Sequence, residues 1–151
     1  MTITFFGHSD FCENSKYQKT IAEILERECK GEKALFLLGN YGEFDKFAYS
    51  CCKEYKIAHK DSSLIFVTPY ISEGYKNTLE YANEIYDSII YPEIENRPKR
   101  FAIYYRNRYM VERADLIIFY VKHNFGGAYK ALQYAKKLNK NHIIISNTKI
   151  D

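Results

Sequence analysis

Residues 97–132 read RPKRFAIYYRNRYMVERADLIIFYVKHNFGGAYKAL. From Lys99 to Arg113 the pattern is helical and basic. Residues 116–121, LIIFYV, form an unbroken apolar run of strand length. After a loop at 122–125, Gly126-Gly127 opens a helix whose Ala128, Ala131, Leu132 and Ala135 make a small-residue face suited to close packing. A continuous apolar run marks a strand buried on both faces, as in a parallel sheet flanked by helices. The stretch is therefore expected to form half of an anion-binding crevice in a parallel α/β domain.

The rest of the chain repeats the alternation. Residues 3–6 form a first strand stopped by Gly7. A helix follows, with Tyr17, Ile21, Ile24, Leu25 and Cys29 at helical spacing and an end near Gly31. Residues 34–38 are a second strand, stopped by Gly39. Beyond Asn40-Tyr41-Gly42-Glu43, a helix places Phe44, Phe47, Ala48, Cys51, Cys52 and Tyr55 on one face. Residues 64–67 are a third strand, and 143–145 the last. Residues 71–96 are the least legible: a helical turn or two at 79–85 and a short extended piece at 89–92 are all that the pattern offers. Five strands alternating with helices predict a doubly wound, Rossmann-like sheet of about five parallel strands, order 3-2-1-4-5, with helices on both faces. In that order the topological switch lies between the first and fourth strands. Ligands bind there, outside the strands' carboxyl ends.

The 151 residues suit one domain, expected to cover 1–151. A net charge of +3, with no Lys/Arg stripe, argues against nucleic acid as a partner. No apolar run is long enough to span a bilayer, and Met1 leads almost directly into a strand, so a cytoplasmic location is expected. Cys12, Cys29, Cys51 and Cys52 form no C-x-x-C pair and lie at no zinc spacing from a His, so free buried thiols and no metal are expected.

Three loops should meet at the switch: Gly7-His8-Ser9-Asp10, the 39–45 loop and the 123–127 loop. Glycine lets backbone N–H groups approach a phosphate, and a helix N-terminus adds unpaired donors and partial positive charge. The ligand-binding candidates are Gly7, His8, Ser9, Gly39, Asn40, Gly42, Phe44, Asp45, Arg106, Asn107, Arg108, Met110, Gly126 and Gly127. Arg106 and Arg108 are the candidate phosphate partners, since guanidinium pairs with phosphate in a bidentate way. Asp45 and Glu43 are weak candidates for catalysis. His8 and His123 follow strands and suit hydrogen bonding to a ligand or to neighbouring backbone. The spacing is not G-x-G-x-x-G and no acidic ribose hook follows the second strand, so a dinucleotide dehydrogenase is not indicated. No cofactor is expected.

GHSD (7–10), GNYGEFD (39–45), the 91–121 segment and HNFGGAYKAL (123–132) together resemble the stand-alone SLOG-family proteins of bacteria. That superfamily also includes the LOG-type cytokinin-activating phosphoribohydrolases and the DNA-processing protein A domain. The resemblance covers nearly the whole chain. It implies a Rossmann-like fold and binding or sensing of a nucleotide or nucleotide-derived signal, and it leaves a homodimer open. LOG enzymes carry a helical Arg, a Met four residues on, an Asp before a buried strand, and P-G-G-x-G-T-x-x-E. Arg106, Met110, Asp115, Gly126 and Gly127 match. Phe125 stands where the proline should be, Tyr129 and Lys130 replace Gly-Thr, and Leu132 or Gln133 replaces the catalytic Glu. Cleavage of an N-glycosidic bond needs a carboxylate to activate water. The resemblance therefore favours binding over hydrolysis. The rival readings are a phosphoribohydrolase or deoxyribosyltransferase-like enzyme, with Asp10, Glu43 or Asp45 as substitute carboxylate, and a ligand-sequestering protein in bacterial or phage defence.

Overall fold

A computed structural model describes residues 1–147, so the last four residues of the expected 1–151 domain lie outside it. The strands are β1 (Thr2–Gly7), β2 (Leu35–Leu38), β3 (Ser63–Val67), β4 (Ser88–Ile90), β5 (Leu116–Tyr120) and β6 (His142–Ile144). The helices are α1 (Ser15–Cys29), α2 (Glu43–Ala58), α3 (Lys76–Ile85), α4 (Ala102–Arg113) and α5 (Gly127–Lys137). All strand pairs are parallel, in the order β4-β3-β2-β1-β5-β6.

The expected order is present, with one strand added at its edge. That strand, β4, lies beside β3 and is only partly buried, so its three residues carry little apolar pattern. α3 has ten residues, longer than the expected turn or two. The last strand ends at Ile144, and Ile145 begins a short 3-10 turn.

Side chains alternate across the sheet, which divides the core in two. Ile3, Phe5, Phe36, Leu38, Leu116 and Ile118 pack with α1 and α2 residues on one face. Phe6, Leu37, Ile117 and Phe119 pack with Met110, Val111, Ala131, Leu132 and Ala135 of α4 and α5 on the other. This two-sided burial is what makes the strands read as unbroken apolar runs. α1 starts at Asn14, whose side chain accepts the Lys16 N–H at 2.7 Å, and ends in a left-handed Lys30.

Cys29, Cys51 and Cys52 are buried free thiols, but Cys12 is exposed. Burial pushes the Cys51 thiol up to about 12. No helix among the described residues is long and apolar enough to cross a membrane.

Candidate ligand-binding crevice

β1, β2 and β5 deliver the three glycine loops to one edge of the sheet. A cavity of about 340 Å³ opens there, at the switch between β1 and β5. Of the sequence candidates, Gly7, His8, Ser9, Gly39, Asp45, Arg106, Asn107, Met110, Gly126 and Gly127 line it, joined by Asp10, Tyr41, His123 and Phe125 among others. Five positions are placed elsewhere. Phe44 is fully buried beneath Gly7, so it is core and not a ligand contact. Asn40 Oδ1 accepts the Tyr86 hydroxyl at 3.3 Å. Gly42 shapes the start of α2. Glu43 is exposed and pairs with Lys46 at 3.3 Å. Arg108 turns onto the outer face of α4, where its guanidinium stacks 4.4 Å from the Tyr134 ring.

Gly42 and Gly126 adopt nearly the same backbone conformation, φ 90° and ψ 176° against φ 92° and ψ 175°. Only glycine enters that region without strain. Each caps the helix that follows. The turns also match in sequence, Asn40-Tyr41-Gly42 against Asn124-Phe125-Gly126, and each presents an exposed aromatic: Tyr41 is 65% and Phe125 66% accessible. The helix ends differ in charge. α2 carries Glu43 and Asp45 in its first turn, and Asp45 Oδ2 accepts the Tyr41 N–H at 2.8 Å. α5 has neither a side-chain cap nor a first-turn carboxylate. Its orphan N–H donors and partial positive charge are open to an anion.

Arg106 is 2% exposed. Its Nη1 donates to the Gly39 and Val67 carbonyls at 2.9 and 2.7 Å, and Nε donates to Asn107 Oδ1 at 2.9 Å. Those carbonyls lie at the ends of β2 and β3, so Arg106 ties α4 to the sheet edge. This bracing role was not read from the sequence, which treated the guanidinium only as a phosphate partner. Nη2 remains beside Gly39, where an added Cβ would meet it at 3.3 Å and Asp45 Oδ2 at 2.9 Å. Burial raises the Asp45 carboxyl to about 6, against the opposing pull of Arg106 and the Tyr41 N–H. Burial also holds Arg106 below its ordinary value, with Asp45 the main opposing influence.

His8 Nε2 accepts the backbone N–H groups of Lys122 and His123 at 2.9 and 3.1 Å, so it straps the β1 loop to the β5 loop. An accepting Nε2 places the proton of the neutral ring on Nδ1. Burial and His123 lower its pKa, while Asp10 opposes. The His123 ring stacks on Phe125, centroids 5.0 Å apart, and its Nε2 lies 3.7 Å from Asp10 Oδ2. Of the residues carried by the resemblance, Met110 lines the crevice, but Asp115 does not. Its carboxylate accepts the Thr2 N–H at 2.8 Å, tying β5 to β1 at the opposite edge. Tyr41 and Ile103 also line the crevice. Neither was singled out from the sequence, where the repeated Asn-aromatic-Gly turn was the available signal for Tyr41.

No protein-family model and no curated protein sequence matches the chain. Solved structures do. DNA processing protein A from Streptococcus pneumoniae is similar with a TM-score of 0.61 and 12% identity, over 93% of this chain and 48% of that one. DNA processing protein A from Helicobacter pylori, described by its unique single-stranded DNA binding mode, is similar with a TM-score of 0.63 and 18% identity, over 95% of this chain and 64% of that one. The chain thus spans about half to two thirds of these neighbours' length. The expectation that nucleic acid is no partner is overturned, because a protein of this fold binds single-stranded DNA. Net charge averages over a surface, whereas binding depends on where cations cluster. At these identities the likeness is one of fold: the chain has the Rossmann-like fold seen in DNA processing protein A.

Proposed function

We propose that this chain binds a nucleotide or nucleotide-derived ligand in the crevice without cleaving it, and that it belongs to the SLOG superfamily. The observation that carries this reading is the open N-terminus of α5, facing a cavity that the buried Arg106 also lines. A phosphate sits on the N–H groups at Gly127 and Ala128, within the field of Arg106. The base lies toward the β2 side of the rim, where Tyr41 stands exposed. The ligand is a free nucleotide or one unit of a DNA strand, the second form being suggested by the DNA-binding neighbour.

A nucleotide panel in a thermal-shift assay tests this. Ligand at 100 times its dissociation constant should stabilise by about 2.7 kcal/mol. Tyr129→Asp puts a carboxylate in the first turn of α5, at the position that Asp45 holds in α2, and should abolish the shift. A folded parent that shows no shift with any member, or a shift unchanged in the variant, overturns the reading.

A second reading, nucleotide N-glycosidase, draws on one observation: Asp45 lines the crevice and its carboxyl is raised to about 6. Against it, Leu132 is buried in the core and Gln133 donates to the Tyr129 hydroxyl, so neither supplies the missing carboxylate. Release of free base from a nucleotide, lost in Asp45→Asn, would favour the enzyme.

A further inference from the structure

A second hollow, of about 680 Å³, runs between α4 and α5 on the outside of the sheet. It adjoins the crevice, since Ile103, Asn107 and Gly127 line both. Two rows of side chains form its walls. α4 contributes Tyr104 and Arg108, one helical turn apart, and α5 contributes Lys130, Tyr134 and Lys137, spaced three to four residues apart. The lining includes these three cations and no Asp or Glu. Arg108 is held between rings: its guanidinium lies 4.4 Å from the Tyr134 centroid and 5.7 Å from that of Tyr104, and Nη2 donates to the Tyr134 hydroxyl at 3.2 Å. Tyr104 and Phe101 are nonetheless exposed.

An aromatic wall alone would suit any apolar partner. Combined with cations and without a carboxylate, it suits a polyanion that carries flat rings. A single nucleic-acid strand is such a polyanion, held by cations on its backbone and aromatic faces under its bases. The wall from Gly127 to Lys137 is about 15 Å long at 1.5 Å per residue. At the roughly 3.4 Å spacing of stacked DNA that is about four phosphate intervals, and fewer when the strand is stretched. The crevice opens at one end of this wall, where Gly127 begins α5.

We infer that the α4–α5 groove receives the adjoining nucleotides of a single DNA strand, one phosphate of which occupies the crevice. The inference rests on the nucleotide reading of the crevice. It adds a polymer as the ligand, a path for it, and Arg108, Lys130 and Lys137 as its phosphate contacts, with Tyr104 and Tyr134 as stacking surfaces.

Fluorescence anisotropy with the full chain tests it, using thymidine monophosphate as competitor and labelled oligo-dT of two, four and eight nucleotides. Affinity should rise at least tenfold from the mononucleotide to the four-nucleotide strand. Three phosphate contacts give a log–log salt slope of about −2 for a single strand. The double variant Lys130→Gln/Lys137→Gln removes two exposed cations outside the crevice and adds no carboxylate near the start of α5. It should lose the gain with length and flatten the salt slope, with competition by the mononucleotide unchanged. Mononucleotide binding with no gain in longer strands overturns the groove and leaves the crevice standing. Strand binding that the double variant weakens, without mononucleotide binding, supports the groove and removes the crevice. Tighter binding of oligo-U than oligo-dT overturns the choice of DNA. A dimer that the double variant splits, with strand affinity unaltered, would show that the groove takes a second copy of the chain, and overturns the inference.

Discussion

The ring of Phe44 fills the space into which a side chain at Gly7 would project, so that an added Cβ would lie 2.7 Å from Phe44 Cβ and closer still to the ring. Gly7 ends β1 and Phe44 lies in the first turn of α2, so this contact sets how closely helix and strand approach at the crevice floor. Gly7→Ala should destabilise by about 1–3 kcal/mol through overpacking. Phe44→Leu should partly relieve it, which a double-mutant cycle by urea denaturation would detect as coupling.

Arg106 should matter to folding before it matters to binding. Arg106→Lys keeps a charge but cannot reach both strand-end carbonyls and Asn107 with one ammonium group. We expect a loss of about 2–4 kcal/mol, the scale for disrupting a buried, hydrogen-bonded charge. Thermal and chemical denaturation measure it. An unchanged melting temperature would contradict the bracing role.

The strap from His8 to the β5 loop has a pH signature. The folded-state pKa lies below the unfolded one, so the unfolded chain takes up the proton first. The stabilisation is present above about pH 6.5 and is lost as pH falls below it toward the folded value. His8→Leu leaves two N–H groups without their acceptor. It should cost about 1–3 kcal/mol at pH 8 and less at pH 5.5. Denaturation curves at the two values, in an Asp45→Asn background, isolate the effect.

Asp45 acts in the opposite sense. Its folded value of about 6 lies above the unfolded 3.8, so its ionisation in the folded state costs stability as pH rises through about 6. That ionisation also adds a negative charge to the wall of the proposed anion site. Affinity for a phosphodiester ligand, which does not itself titrate here, should therefore rise as pH falls from 7.5 to 5.5. In Asp45→Asn that pH dependence should flatten. Calorimetric titration at the two pH values would show either outcome.

Much of the fold was legible because burial on both faces leaves an unmistakable trace. The run at 116–121 is apolar throughout, as an inner strand requires, and the first two strands stop at glycines, Gly7 and Gly39, that line the crevice. The edge strand Ser88–Ile90 was harder: one exposed and two half-buried residues carry no such trace. Within the loops, the sequence placed three glycine turns at one edge of the sheet but not the direction of each side chain. Phe44 and Asp45 are neighbours, yet one faces the core and the other the cavity. Arg106 and Arg108 lie about 200° apart around α4 at 100° per residue. The first therefore enters the protein, and the second lines the outer groove. Helix phase decides such matters, and no composition rule supplies it.

The paired glycine turns give the crevice a direction. One helix start neutralises itself with its own carboxylates and the other does not, so the two walls are alike in backbone and opposed in electrical character. A guest that is charged at one end and neutral at the other has a single favoured way in. On the proposed reading, its charged end goes to the β5 side and its neutral end to the β2 side. On that reading, orientation follows from which of two similar turns was left without an acid.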